Sequence, residues 1–173
     1  MYSMKTLAVL AVAALAQMAN AQTRIIEIKP FTSLAIGGDV EVTLVQSKEN
    51  KVVVTEGDDN LKIASVTGSL ALNSDDGVEL TLYYDGNINE LAIAGGVEFK
   101  TKGKINTDKL NVSVASGSEV HLEVDAKGIY AAVASGGEMK AEGSTDKLSV
   151  TVGSGGDFIA ENLKCDNAEV TVA

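Results

Sequence analysis

The sequence predicts an all-β fold, a right-handed parallel β-helix or solenoid with coils of about 19–21 residues and a less regular, strand-rich N-terminal cap. Three observations carry this expectation. A seven-residue box recurs five times, as "IGGDVEV" from Ile36, "IAGGVEF" from Ile93, "VASGSEV" from Val114, "VASGGEM" from Val133 and "VGSGGDF" from Val152. Between boxes the chain alternates apolar and polar residues, as in "LNVSV" from Leu110 and "LSVTV" from Leu148, which is the pattern of a strand with one buried face. After Ala21 no stretch shows a 3.6-residue period, and glycine recurs too often for helices.

Taken in order, residues 1–21 read as a signal peptide. Lys5 precedes an apolar run from Leu7 to Ala16, and Ala19-Asn20-Ala21 forms an A-x-A cleavage site ahead of Gln22. The run is too short to span about 30 Å of hydrocarbon, no second apolar segment follows, and no cysteine marks a lipoprotein site, so no transmembrane segment is expected. Export to the periplasm, the outer surface or the medium follows.

Residues 22–90 hold strands of variable spacing, "VEVTLVQ", "KVVVTEG", "LKIASV", "SLALNS" and "VELTLYY", joined by turn signals such as "SDDG". They are expected to form the opening coils and the cap. Residues 91–173 are the regular part of the same single domain. From Ile93 the box starts fall 21, 19 and 19 residues apart, and each box is followed by a second short strand such as "VHLEV" from Val120. The glycines then serve to bend the chain between two strands of one coil. The register places Val112, Val114, Val120, Leu122, Val133, Met139, Leu148, Val150, Val152 and Phe158 inward.

Composition removes several function classes. Without residues 1–21 the chain keeps 24 acidic and 13 basic residues, a formal charge of −11, so nucleic acid is not an expected partner. Cys165 is the only cysteine, and an intramolecular disulfide cannot form. With no tryptophan and three phenylalanines, the core must be built from Val, Leu, Ile and Ala.

The chemical readings of the glycine box are weaker than the structural one. A phosphate-cradling loop needs a helix and a Lys-Ser/Thr pair behind the glycines, and "VGSGGDFIAENL" supplies an acid instead. "GSGGDF" echoes the calcium nonapeptide, but those repeats come every nine residues so that successive turns share each ion, whereas here one box serves each coil. No metal or other cofactor is expected. His121 is the only histidine and Arg24 the only arginine, which leaves no Ser-His-Asp arrangement independent of His121 and no basic residue poised over an acidic sugar, so the protein is read as not an enzyme.

Two sets of side chains remain as candidates. Glu98, Glu119, Glu138 and Asp157 repeat with the box and should stack as an outer acidic ladder, with Lys100, His121 and Lys140 as a compensating column beside it. Tyr83, Tyr84 and Tyr130 are the side chains suited to stacking on a sugar, a role that competes with cross-strand packing.

The segments "FTSLAIGGDVEVTL" and "NINELAIAGGVEF", with the boxes from Val114, Val133 and Val152, resemble the Bacteroidota-type "putative auto-transporter adhesin, head GIN domain" family over about Phe31 to Ala173. The resemblance implies a right-handed β-helix, no catalysis and an adhesin-like role. It carries no ligand motif onto particular residues.

The expected function is therefore an exported, non-catalytic binding or surface-architecture module that recognises a glycan or protein through a flat face. A carbohydrate-processing β-helix enzyme and a purely structural periplasmic protein are the alternatives. The final strand, "AEVTV", is laid on "LSVTV" with Val170 and Val172 uncovered, so the sequence is expected either to continue in a longer chain or to self-associate through this C-terminal edge.

Overall fold

Apolar residues at every second position commit each segment to a strand with one buried face, and the computed structural model contains twelve such strands across its described residues, 23–57 and 60–173. The expected signal peptide lies outside the described residues. The strands are β1 (Arg24–Glu27), β2 (Phe31–Gln46), β3 (Lys51–Glu56), β4 (Lys62–Val66), β5 (Gly68–Tyr84), β6 (Glu90–Gly95), β7 (Glu98–Lys102), β8 (Ile105–Ala115), β9 (Glu119–Val133), β10 (Glu138–Val152), β11 (Asp157–Ile159) and β12 (Leu163–Val172). They form one sheet in the order β1-β3-β5-β2-β6-β8-β9-β10-β11, with β12 on β10, β4 on β5, and β7 joined to β2 and β9.

The all-β class stands, but the expected right-handed β-helix solenoid with an N-terminal cap does not. The structure is a closed five-stranded parallel barrel with extra strands, built around one apolar core. The order of layers also departs from a simple progression. β5 lies on one side of β2 while β6 and β7 lie on the other, so β2 sits inside the stack and is no part of a cap. Antiparallel strands β3 and β4 pair with β5, and β1 pairs antiparallel with β3. The physical reason is that a repeated box sets which residues lie side by side, and says nothing about which layer becomes whose neighbour.

Register is where the repeat acts. Leu72, Ile36, Ile93, Val114, Val133 and Val152 stand side by side across successive parallel strands. Burying each such side chain contributes roughly 1.5–3 kcal/mol. Of the residues expected inward, Val112, Val114, Val120, Leu122, Val133, Met139, Leu148 and Val150 are buried, whereas Val152 and Phe158 are half-buried. Val152 is covered on one side only by the exposed Val172, and Phe158 stands on β11, which pairs with β10 alone.

The boxes from Val114, Val133 and Val152 are turns, whereas the box from Ile36 lies within β2. Ser116, Ser135 and Ser154 have φ of 59°, 54° and 48°, and each is followed by a glycine, Gly117, Gly136 and Gly155, with φ of 76°, 74° and 76°. Two successive positive φ values match the type I′ pattern, in which the second position favours glycine. The turn closes by a backbone hydrogen bond from Gly137 N–H to Ala134 O at 3.0 Å and from Gly156 N–H to Gly153 O at 3.0 Å.

Candidate functional site

Each box turn delivers its acid to the first position of the next strand, so the parallel register aligns the acids. Glu98 pairs with Glu119, Glu119 with Glu138, and Glu138 with Asp157. The ladder continues through Glu41 and Glu79, because Glu98 pairs with Glu41 and Glu41 with Glu79. Sequence reasoning missed this extension. The signal was present: superimposing "IGGDVEV" on "IAGGVEF" puts Glu41, not Asp39, over Glu98.

The basic column stands beside the acids as expected, but its partners differ along it. Lys100 Nζ lies 2.6 Å from Glu41 Oε1, a hydrogen bond that raises the lysine pKa. Lys140 Nζ reaches Glu142 Oε1 at 2.9 Å, and His121 Nε2 lies 3.5 Å from the same oxygen. Hydrogen bonds from Lys140 and then Asn162 hold the Glu142 carboxyl below the usual carboxylate range. Only Lys100 thus neutralises a ladder acid directly, while Lys140 and His121 turn toward Glu142.

At the Glu41 end the ladder borders a groove of 340 Å³ lined by Asp39, Glu41, Glu56, Glu79 and Glu98. Among the described residues, no group of three or more His, Cys, Asp or Glu side chains is placed to hold a metal ion. The groove concentrates negative charge without converging on one point.

The three tyrosines do not form one site. Tyr84 is buried, its ring centroid 6.4 Å from that of Phe31, and burial pushes its pKa up to about 12. It presents no face to solvent. Tyr83 lies under Lys51, whose Nζ is 5.3 Å from the ring centroid. Tyr130 lies on β9 with Lys109 Nζ at 4.9 Å and Lys147 Nζ at 5.8 Å from its centroid, and its ring leans over Gly128. The half-buried Tyr83 and the exposed Tyr130 therefore both carry lysine ammonium groups, an arrangement stabilised by the cation–π attraction.

A second groove went unread in the sequence. It is shallow and apolar, with a volume of 520 Å³, and its floor includes the outward-facing Ala35, Ala71, Ala92, Ser113 and Ala132. These residues are in register: Ala35 pairs with Ala71 and Ala92, Ala92 with Ser113, and Ser113 with Ala132. The signal was Ala92 in "LAIAG", Ser113 in "LNVSV" and Ala132 in "IYAAV", outward residues that are small where solvated strands usually carry long polar side chains. Tyr130 and Asn111 stand in the neighbouring outward column.

Cys165 is half-buried, and its thiol donates to Asn167 O at 3.1 Å. No helix among the described residues is long and apolar enough to cross a membrane.

The family model described as "Putative auto-transporter adhesin, head GIN domain" matches residues 30–173. No curated protein matches the chain in sequence. Among solved structures, a putative adhesin from Parabacteroides merdae superimposes with a TM-score of 0.69 at 16% identity, covering 87% of this chain and 77% of that one. A protein from Parabacteroides distasonis described as a putative lipid binding protein gives 0.66 at 18% identity, covering 87% and 78%. A putative adhesin from the same organism gives 0.64 at 15% identity, covering 87% and 77%. At these identities the likeness establishes a shared fold.

Proposed function

Since the chain belongs to the "Putative auto-transporter adhesin, head GIN domain" family, we propose that it is an exported, non-catalytic binding module of adhesin type. Its recognition surface is the small-residue face over Ala35, Ala71, Ala92, Ser113 and Ala132, and its partner is an extended glycan at the cell surface. The observation that carries this reading is the in-register run of small outward side chains across several strands, which leaves a flat strip open to a linear ligand. Sugar rings present an apolar face to such a strip, while Asn111 and the Tyr130 hydroxyl in the adjacent column supply polar contacts. Self-association through the C-terminal edge would multiply these faces and raise avidity.

The non-catalytic reading is supported by His121, an exposed side chain whose ionic partner is Glu142. A glycan array probed with the exported chain, beside a reducing-end release assay on acidic polysaccharides, tests the proposal. Binding that is lost in Ala92→Glu, with no sugar released, is the expected result. Sugar release would favour a carbohydrate-processing enzyme. Binding to matrix proteins or lipid vesicles in place of glycans would overturn the ligand class.

A further inference from the structure

The corner sequence "TDKL" occurs twice, from Thr107 and from Thr145, and the parallel register sets the two copies on either side of β9. Lys109 and Lys147 both stand beside Gly128, which has no side chain to part them. Tyr130, on the same outward face, leans its hydroxyl end back over that glycine: a Cβ built there would lie 3.2 Å from Tyr130 Cε2 and 3.7 Å from its Oη. Two ammonium groups and a phenol thus gather over one backbone position, with Lys109 Nζ and Lys147 Nζ 4.9 and 5.8 Å from the ring centroid. The acids that precede these lysines in the chain are drawn away from them. Asp108 Oδ1 accepts from Lys127 Nζ at 2.7 Å, a hydrogen bond that raises the lysine pKa, and Asp146 adds to the same field. Lys109 and Lys147 themselves form no ion pair among the described residues, in a chain whose formal charge is −10.

We infer that this cluster is the anion-binding end of the glycan strip, and that the glycan it takes is acidic, with a carboxylate or sulfate of one sugar seated between Lys109 and Lys147. The inference rests on the strip reading above and adds the charge of the ligand to it. The cluster borders the strip, because Asn111, Tyr130 and Ser149 form the column next to Ser113 and Ala132. A chain of sugars lying across the strands over Ala92, Ser113 and Ala132 therefore brings its ring substituents to the two ammonium groups and the Tyr130 hydroxyl. The acids of that column, Glu90 and Glu169, stand one strand further out on either side, beyond Asn111 and Ser149, and Glu90 accepts from Ser33 Oγ at 3.1 Å. An ammonium left without a carboxylate is free to make its charge-assisted hydrogen bonds to a ligand anion. The negative charge of the molecule repels polyanions elsewhere on its surface, so discrimination falls to this cluster. An anionic bilayer would meet that repulsion over its whole contact, whereas one acidic sugar meets only the two lysines and the tyrosine.

The test measures binding of oligogalacturonate and of dextran sulfate to the exported chain, each beside its neutral form, methyl-esterified oligogalacturonate and dextran. An acidic probe should bind more tightly than its neutral form, with an affinity that falls as salt rises, and which of the two binds tells carboxylate from sulfate. Lys109→Gln combined with Lys147→Gln should weaken that binding about tenfold, as expected for two exposed charge contacts, and leave the neutral form and the melting temperature unchanged. Lys48→Gln, in the turn between β2 and β3, removes a lysine charge elsewhere and should have no effect. Equal binding of acidic and neutral forms, lost in Ala92→Glu, would overturn the anionic ligand and leave the strip reading standing. Acid-selective binding untouched by the double lysine variant would put the anion elsewhere and overturn this assignment. Binding of phosphatidylglycerol vesicles with no binding of any glycan would overturn both.

Discussion

Glu119 on β9 and Glu138 on β10 stand directly side by side in the parallel register, so two carboxylates of like charge share one outer column. At a separation of about 5 Å such a pair repels by roughly 0.8 kcal/mol in a water-like dielectric. Glu119→Gln removes repulsion from both neighbours, Glu98 and Glu138. The variant should melt at the parent temperature or slightly above it. Calcium should leave the melting temperature of both proteins unchanged; a calcium-dependent rise that the variant loses would show that the ladder binds a cation.

Val133 is fully buried, in register between Val114 and Val152. Val133→Asp puts an unpaired carboxylate among apolar side chains, a cost that exceeds the total stability of many domains. The variant should fail to fold, read as loss of the strand signal in circular dichroism. Leu122→Ala, which leaves only a cavity, should fold and lose about 2–5 kcal/mol of unfolding free energy.

Tyr84 sets an alkaline limit. Burial raises its pKa from 10.0 to about 12, so the neutral ring is favoured in the folded state. The contribution is full below the ordinary tyrosine pKa and is lost as pH rises through the folded value. Between the two, the unfolded chain gives up its proton first, and stability falls at about 1.4 kcal/mol per pH unit. Tyr84→Phe should abolish this part of the alkaline slope in denaturant titrations while remaining folded. An unchanged slope would show that other groups carry it.

Two glycines with positive φ should respond differently to alanine. Gly136, at φ 74°, has no heavy atom within 4 Å of a built Cβ, so Gly136→Ala costs only the backbone strain, roughly 1–2 kcal/mol. At Gly143, φ 115°, the same atom would lie 2.0 Å from Val124 O. The stacked strands must separate there, and Gly143→Ala should be the more destabilising by a clear margin in urea unfolding. Equal losses at the two positions would refute the close approach of β9 and β10.

The sequence by itself determined the strand class, the inward face of each strand and the alignment of the box acids. These are properties of alternation and period: a side chain's face follows from its parity, and a box repeated at near-constant spacing brings like residues into register. Thus Val114 beside Val133, and Glu119 beside Glu138, were legible before any fold was known. The tertiary structure alone decided that β5 and β6 flank β2 from opposite sides, that the strands close into a barrel, and that the Tyr84 ring meets Phe31. It also decided the flat strip over Ala92 and Ala132, whose members come from separate strands. These outcomes depend on which layer closes over which apolar surface. That choice is made by burial summed over the whole chain, and no local period encodes it.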